Sequence, residues 1–428
     1  MSKPAPITAV KGFRDVLPDE SVRWQALEAA AARIFGAYGF GDIRLPVLER
    51  AELFARSLGE TTDVVEKEMY SFPDRDETIV TLRPEATASV VRAYVEAGLA
   101  KREPVSRLWY AGPMFRRERP QKGRYRQFQQ IGVEMLGRSD AVADAELLIM
   151  LSDYLAAVRV PDVQLEVNSL GDQTCRPAYR EHLQAFGRAH LDVLCADCHR
   201  RIERNPLRLL DCKVPTCRAV MVDAPVMLDH LCDGCRVHFD EVRALLDRES
   251  VAYTLNTRMV RGLDYYCRTA FEVIAGGLGA QNAVGGGGRY DGLVAALGGG
   301  DVPGVGFALG VDRLAMLIDA IEPPAPLAVV LPLDERATAP AVDITTRLRR
   351  EGIAVILEPA GRSMKALLRA ADRQRATLAI ILGEDELRAG RATIRNLVRR
   401  EDRPQSLALD APGPELARQV RAESENPT

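Results

Sequence analysis

Hydrophobic residues recur along the first three quarters of the chain with two different periods. A spacing of three and four residues, typical of a helix that buries one side, runs from Glu20 to Tyr38 and stops at Gly39. A period of two, typical of strands, marks both arms of the segment Trp109–Gly137, which surround a basic loop. The returning arm has two faces: Ile131, Val133 and Met135 on one, and Phe128, Gln130, Gly132 and Glu134 on the other.

The same patterns predict the other elements of this region. Strands are expected at 78–85, 163–171 and 260–273, and the first of them runs into a helix at 86–100. Residues 302–318 predict a strand, a turn and an amphipathic helix. The glycine run 285–288 lacks the spacing of a dinucleotide-binding loop, so we interpret it as a tight turn of a sheet beneath a ligand.

A proline-rich segment, 322–326, separates this region from a C-terminal part with a different pattern. There, strands predicted at 328–333, 354–357 and 378–382 alternate with helices predicted at 338–350 and 363–375. This alternation is typical of a compact α/β unit with crossover connections. We expect the polar tail after Asp410 to be mobile.

The basic loop and the strand after it suggest a ligand site. Between Arg116 and Arg126 the loop holds six basic residues and one acidic residue, which suits phosphates. Gln130 and Glu134 share a strand face, and Gly132 between them leaves room for a small ligand. The alternative is a solvated turn beside an ordinary exposed sheet face, which is common in antiparallel sheets.

Composition limits the class of protein. The chain has 428 residues, of which 47% are hydrophobic and 27% charged, as in an ordinary globular protein of two or three domains. The net charge of −3 gives no overall attraction to nucleic acid, so an RNA site would need a local basic patch. No signal-like or membrane-spanning apolar stretch is apparent, and we expect a cytoplasmic protein without membrane contact.

Cysteine and histidine are concentrated in one segment. Seven of the eight cysteines and all five histidines lie between Cys175 and His238, in a stretch, 175–247, that predicts mainly helices. Catalysis elsewhere in the chain therefore proceeds without a histidine base, which excludes Ser–His and Cys–His chemistry unless this segment supplies the base.

Two Cys-x-x-C pairs within this segment, Cys195/Cys198 and Cys232/Cys235, could together supply a tetrahedral thiolate site for zinc. The alternative is four buried and inert thiols, which behave as small apolar side chains. The sequence leaves both possibilities open, and we assign no metal ligand from it.

Four motifs, in order along the chain, carry a resemblance to a known family. They are RPEATA (83–88), FRRERPQKGRYRQFQQIGVE (115–134), VRGLDYY (260–266) and GFALGVDR (306–313). The second is similar to motif 2 of the class II aminoacyl-tRNA synthetases in the form found in histidyl-tRNA synthetases. The last resembles motif 3, and residues 40–54 resemble motif 1. Two departures are Ala86, where glycine is usual, and Asp312, where glutamate is frequent.

The resemblance covers nearly the whole chain and implies an α+β fold. It implies a class II catalytic domain built on an antiparallel sheet at residues 1–322, with a helical insertion at about 172–250. It further implies a C-terminal α/β anticodon-binding domain at residues 327–428. Residues 40–54 correspond to the family's dimer interface, which implies a homodimer.

The activity implied is the ATP-dependent ligation of L-histidine to tRNA(His) through a histidyl-adenylate, with release of pyrophosphate and AMP. Mg²⁺ would bridge the ATP phosphates. The resemblance does not imply a bound structural metal. A non-catalytic regulatory paralogue from histidine biosynthesis is the alternative, although such proteins typically lack the anticodon-binding domain.

The resemblance also assigns residues. Arg116 and Arg261 would be the catalytic cations that hold the α-phosphate and the carboxylate. ATP would be bound by Arg116, Glu118 and Arg313. The implied histidine-binding residues are Glu85, Thr87, Gln130, Glu134, Tyr265 and Tyr266. The acceptor end of the tRNA would be guided by Gln121, Arg124 and Arg126.

Overall fold

The computed structural model describes residues 6–58, 62, 64–121, 123–260, 263, 265–278, 282–322, 324–399 and 405–425. The chain packs into two compact units, Met1–Ile321 and Glu322–Thr428. Among the described residues, no helix is long and apolar enough to cross a membrane.

The described helices, in chain order, are α1 (Pro18–Ala37), α2 (Ala51–Leu58), α3 (Thr87–Glu96), α4 (Ala141–Ala157), α5 (Arg176–Ala189), α6 (Ala196–Arg204), α7 (Pro215–Met221), α8 (Asp233–Arg248), α9 (Leu293–Ala296), α10 (Val311–Leu317), α11 (Thr338–Arg350), α12 (Met364–Arg373), α13 (Glu384–Ala389) and α14 (Gly413–Glu425). The described strands are β1 (Gly41–Asp42), β2 (Leu48–Arg50), β3 (Tyr70–Pro73), β4 (Ile79–Leu82), β5 (Ser106–Phe115), β6 (Gln127–Leu136), β7 (Val163–Ser169), β8 (Thr254–Leu255), β9 (Cys267–Ala275), β10 (Ala283–Arg289), β11 (Gly304–Gly310), β12 (Ala328–Pro332), β13 (Val355–Leu357), β14 (Leu378–Leu382), β15 (Arg391–Asn396) and β16 (Gln405–Ala408).

The first unit is organised on an eight-stranded sheet with the order β1-β5-β6-β11-β10-β9-β7-β8. Its interior pairs are antiparallel, and only the edge pairs β1–β5 and β7–β8 are parallel. A smaller sheet, β2-β4-β3, lies in the same unit. The antiparallel sheet implied by the family resemblance is therefore present.

The hairpin β5–β6 confirms the predicted alternation. Ile131, Val133 and Met135 are fully buried in the main core, which also contains Leu27 and Phe35 of α1. The helices α1 and α4 cover this face of the sheet, because their apolar sides supply much of the same core. The opposite face is left to the polar residues of the hairpin and becomes the wall of a cavity.

The glycine run does not form a turn, so that prediction was wrong. It is part of strand β10 in the middle of the sheet, paired with β9 on one side and β11 on the other. A Cβ atom at Gly287 would lie 2.1 Å from the carbonyl oxygen of Gly306 in β11. Only glycine at this position therefore lets β11 approach β10 as closely as it does.

The segment 175–247 is mainly helical, as predicted, and contains α5 to α8. It has a small core of its own, in which Tyr179, Leu183 and Ile202 pack with five buried cysteines. Of the two possibilities left open by the sequence, a single site shared by Cys195/Cys198 and Cys232/Cys235 does not form. The two pairs belong to different groups, because α6 and α8 each turn their N-terminal cysteines toward other partners.

The second unit has a five-stranded sheet with the order β13-β12-β14-β15-β16. The first three strands are parallel, and β15 and β16 are antiparallel additions that the sequence pattern did not predict. The prediction of a mobile tail after Asp410 was also wrong for the residues described. Helix α14 occupies this stretch, and it buries Leu416 and Val420, one helical turn apart, in the core of the unit.

Candidate active site

A cavity of about 410 Å³ opens on the polar face of the main sheet, within the range of small-ligand sites. Residues of five strands (β5, β6, β9, β10 and β11) and of two helices (α3 and α10) line its wall. Nine of the residues assigned from the sequence line it: Glu85, Thr87, Arg116, Glu118, Arg124, Gln130, Tyr265, Tyr266 and Arg313.

Glu134 lies beneath this wall and is completely buried. The hydroxyl of Thr87 donates a hydrogen bond to its Oε1 at 2.7 Å, and the hydroxyl of Tyr290 donates to its Oε2. Burial raises the pKa of Glu134 to about 8, assisted by the charge of Glu85, while the two hydroxyl donors oppose the shift. Burial thus shifts the pKa of this carboxyl group far above that of an ordinary glutamate.

Two glycines shape the space around Glu134, but not as the sequence suggested. A Cβ atom on Gly132 would lie 2.3 Å from the hydroxyl oxygen of Tyr110, so the room predicted for a ligand is occupied by that tyrosine. A Cβ atom on Gly306 would lie 1.9 Å from Glu134 Oε2, so the carboxyl group itself fills the space over this second glycine. The ligand space therefore begins above Tyr110 and Thr87 and not at Gly132.

Glu85 has the capping role that its position before α3 suggests. Its carboxylate oxygens accept hydrogen bonds from the backbone N–H groups of Thr87 at 2.6 Å and Ala88 at 2.9 Å. Burial raises the pKa of Glu85, and these donors counteract the shift. Because Glu85 also lines the cavity, one carboxyl group both caps the helix and faces the ligand space.

Arg116 and Arg313 each donate to backbone carbonyl groups, which orient their guanidinium groups. Arg116 also forms a long ion pair with Glu118 at 4.0 Å. Arg116 donates from Nε to the carbonyl oxygen of Pro84 at 2.8 Å and lies over the ring of Phe128. Arg313 donates from Nε to Gly123 at 3.2 Å and from Nη1 to Ala283. Burial and the charge of nearby Arg124 lower the pKa of Arg313. An anionic ligand would relieve that repulsion.

Three buried polar atoms in the cavity wall have no hydrogen-bond partner of normal geometry among the described residues. They are Gln130 Oε1 and the hydroxyl oxygens of Tyr110 and Tyr265, although these hydroxyls lie near Thr87 and Tyr266 respectively. Buried polar groups are almost always paired in folded proteins. Their convergence on one cavity indicates that a polar ligand completes the pairing.

The loop residues assigned to the tRNA differ in their surroundings. Arg124 pairs with Glu118 at 2.8 Å at the mouth of the cavity. Arg126 instead donates to the carbonyl oxygens of Glu118 and Lys11. These bonds connect the N-terminal segment around Lys11 to the basic loop. Gln121 forms an isolated bridge with Arg124. Arg261 lies outside the described residues.

Sequence reasoning missed several lining residues, namely Tyr110, Tyr125, Asp211 and Glu272, together with Tyr290 beneath them. Tyr110 could have been found, because it pairs with Gly132 in the β5–β6 hairpin and therefore shares the face of Gln130. Asp211 belongs to the helical insertion, and no local pattern indicates that this segment reaches the cavity.

Comparisons with known proteins agree with this architecture. Residues 12–314 match the family model for histidyl-tRNA synthetase, and residues 327–411 match the model for an anticodon-binding domain. The histidine–tRNA ligase of Geobacter metallireducens is 52% identical over 390 residues, which span 91% of this chain and 94% of that protein. The ligase of Anaeromyxobacter dehalogenans is 48% identical over 406 residues, 94% of this chain and 98% of that protein.

Among solved structures, the apo histidyl-tRNA synthetase of S. aureus superposes with a TM-score of 0.80 at 31% sequence identity. The superposition covers 98% of this chain and 100% of that one. The family models, the curated relatives and this structure agree with the motifs along the chain and with the cavity that those motifs line. The chain belongs to the histidyl-tRNA synthetase family.

Proposed function

We propose that this chain is an aminoacyl-tRNA ligase that joins L-histidine to tRNA(His) through a histidyl-adenylate, at the expense of ATP. The observation that carries the proposal is the cavity itself. It combines Arg116 and Arg313, held by backbone carbonyls, with the unpaired polar atoms of Gln130 and Tyr265 above a buried acid, Glu134. Fixed cations suit the phosphates of ATP, and the polar wall suits an amino acid with a polar side chain.

In the first step, a carboxylate oxygen of histidine attacks the α-phosphorus of ATP, and the bond to the bridging oxygen of pyrophosphate breaks. The carboxylate is already ionised, so the step needs in-line positioning and neutralisation of charge, and no general base. Arg116 would hold the α-phosphate, and family resemblance assigns Arg261 to the α-phosphate and the carboxylate as well. Their planar guanidinium groups offer two parallel donors to a phosphate, which lysine cannot.

ATP would lie along the arginine-lined part of the cavity. Glu118 would meet the adenine, and Arg313 would contact the adenine face and the γ-phosphate. Magnesium carried by the ATP supplies further charge neutralisation. Glu272 lines the same cavity and offers the carboxylate oxygen that this ion prefers.

Histidine would occupy the polar end of the cavity. Glu85, Thr87 and Gln130 would receive the amino end, and Tyr265, Tyr266 and Glu134 would recognise the imidazole ring. Such a pocket leaves its own buried groups unpaired when a non-polar analogue binds, which can reject that analogue by roughly 10⁴–10⁵. This supports specificity without an editing reaction.

In the second step, the terminal ribose hydroxyl of the tRNA attacks the activated carbonyl carbon, and AMP leaves. Gln121, Arg124 and Arg126 would guide the acceptor end through phosphate contacts. The C-terminal unit, which matches an anticodon-binding domain, would contact the other end of the tRNA. The regulatory paralogue is not favoured, because the chain retains this domain and the arginine-lined cavity together.

We also propose a homodimer. The small sheet β2-β4-β3 exposes Leu48 and Phe72, each more than two-fifths accessible in the single chain. They share one face, because they pair with Leu82 and Val80 of β4. Apolar side chains clustered on one exposed sheet favour burial against a second copy.

The test is ATP–pyrophosphate exchange with each of the common amino acids in turn, followed by charging of tRNA(His). We expect exchange with histidine and transfer of labelled histidine to the tRNA. A protein that binds histidine but supports neither exchange nor charging would be a regulatory paralogue.

A further inference from the structure

The helical insertion holds seven of the eight cysteines, and the proposed function uses none of them. The structure divides them into two groups, in each of which four ligand atoms lie within 4.8 Å of one another. Group one consists of Cys195, Cys198, Cys212 and Cys217, and group two consists of Asp172, Cys175, Cys232 and Cys235. We propose that these are two separate structural zinc sites, the first with four thiolates and the second with three thiolates and a carboxylate.

The sulfur spacings fit tetrahedral coordination of one ion. A zinc–sulfur bond of about 2.3 Å places tetrahedral thiolates about 3.8 Å apart. The Sγ atoms of Cys195 and Cys212 are 3.9 Å apart, and those of Cys175 and Cys235 are 3.8 Å apart. A disulfide needs about 2.05 Å, so these thiols are spaced for a shared ion and not for oxidation to a bond.

Group one joins three short pieces of chain. Cys195 and Cys198 flank the start of α6, Cys212 follows a 3₁₀ turn, and Cys217 lies in α7. The backbone N–H of Cys195 donates to Cys217 Sγ at 3.2 Å, a contact that stabilises a metal-bound thiolate. Helices α6 and α7 have nine and seven residues, too few for stability on their own, so an ion would supply the cross-link that their small core lacks.

Group two shows the same construction with one oxygen ligand. Asp172 Oδ1 lies 3.6 Å from Cys175 Sγ and 3.9 Å from Cys232 Sγ, close to the edge of about 3.5 Å expected for mixed oxygen and sulfur ligands. The backbone N–H of Asp172 donates to Cys175 Sγ at 3.3 Å, and that of Thr174 donates to Asp172 Oδ1 at 2.9 Å. These contacts orient the carboxylate toward the three sulfurs.

Group two also links the insertion to the catalytic sheet. Arg268 of β9 pairs with the second carboxylate oxygen of Asp172 at 3.4 Å. Next to Cys175, Arg176 donates to the carbonyl oxygen of Tyr266, which lines the cavity. An ion here would therefore hold the insertion in place, whereas an ion in group one would stabilise the interior of the insertion.

The competing explanation is that the cysteines are inert apolar side chains of a small core. It accounts for burial, but it does not require fourfold grouping, N–H donors aimed at sulfur, or a carboxylate as the fourth member of group two. Tetrahedral sulfur sites also suit iron, so the test must identify the metal as well as count it.

The experiment measures zinc and iron per chain by elemental mass spectrometry in full-length protein purified without chelator. We expect about two zinc ions in the unaltered chain and about one in each single variant, Cys212→Ser and Cys232→Ser. The double variant should retain almost none. Cys267→Ser, which changes the one cysteine outside both groups, is the matched control and should keep two.

Reconstitution with cobalt(II) gives a second readout, because its charge-transfer absorbance depends on the number of thiolates. Cys212→Ser should lose about four sevenths of it and Cys232→Ser about three sevenths, in proportion to the thiolates of each group. The number of zinc ions per unaltered chain tests the proposal even where a variant fails to fold. One zinc ion or none, iron in place of zinc, or equal zinc contents in Cys212→Ser and the Cys267→Ser control would overturn the proposal.

Discussion

Thr87 Oγ1 and Glu134 Oε1 lie 2.7 Å apart, although the two residues are 47 positions apart in the sequence. The contact joins the first turn of α3 to strand β6 directly beneath the cavity. The hydroxyl of Thr87 donates to Oε1 and the hydroxyl of Tyr290 donates to Oε2, so both carboxyl oxygens of Glu134 are held in place. This fixed orientation supports the proposal that Glu134 recognises the side chain of bound histidine.

Replacing Glu134 with glutamine should weaken histidine binding far more than ATP binding. Loss of a charge-assisted hydrogen bond to the imidazole costs about 1.5–3 kcal/mol, which corresponds to about a ten- to hundredfold rise in the KM for histidine. Steady-state pyrophosphate exchange measures both KM values. Glu181→Gln, on the exposed side of α5, is the control and should leave both unchanged. An unaltered KM for histidine in Glu134→Gln would place Glu134 outside the recognition pocket.

Glu134 should also make the stability of the ligand-free protein depend on pH. Its pKa of about 8 in the folded state is above the ordinary value of 4.5, so the unfolded state releases its proton first as the pH rises. The stabilising contribution is complete below about pH 4.5 and is lost as the pH rises toward 8, by a few kcal/mol in total. Glutamine does not ionise, so Glu134→Gln removes this contribution to the pH dependence of stability.

Urea unfolding at about pH 5 and about pH 8 measures this effect. Glu134→Gln should gain stability relative to the unaltered chain as the pH increases between these values. The exposed control Glu181→Gln should follow the unaltered chain. Parallel pH profiles for Glu134→Gln and the unaltered chain would show that Glu134 does not titrate in this window.

Arg289 and Asp144 form a completely buried ion pair between β10 and α4, and His238 of α8 contacts the same carboxylate at 2.8 Å. Burial alone would raise the pKa of Asp144, but the histidine contact and the arginine charge lower it below its usual value. Arg289→Met would leave that charge without its main partner and should cost about 3–5 kcal/mol.

Denaturant unfolding of Arg289→Met, Asp144→Leu and the double variant measures this coupling. We expect the double variant to lose less stability than the sum of the single variants, since neither charge is then left alone. Strict additivity would mean that the two charges do not stabilise each other.

Ending the chain after Ile321 should separate the two reaction steps. The two units have separate hydrophobic cores, so the first should fold and retain histidine-dependent pyrophosphate exchange. Charging of tRNA(His) should fall sharply, because the matched anticodon-binding domain is removed. Circular dichroism checks the fold of the truncated chain, and charging at the full-length rate would contradict the assigned role of the second unit.

Local sequence determined a large part of this structure. The alternation from Gln127 to Leu136 specified which face of β6 would be buried, since side chains two apart must share a face. Helix α11 lies at the predicted residues, 338–350, because its apolar spacing and the turns around it agree. The residues of the four motifs that line the cavity could be named in advance because those motifs resemble a known family, which assigns them roles.

The tertiary structure decided what no local pattern contains. Tyr110 fills the space over Gly132, because β5 pairs with β6. Glu134 is buried beneath Tyr290 and Thr87, which come from segments far apart in the sequence. The division of the cysteines into two groups depends on how α5 to α8 pack, and Cys-x-x-C spacing identifies only pairs. In each case the physical reason is the same. Periodicity assigns a side chain to a face, whereas contacts between segments far apart in sequence determine which atoms share that face.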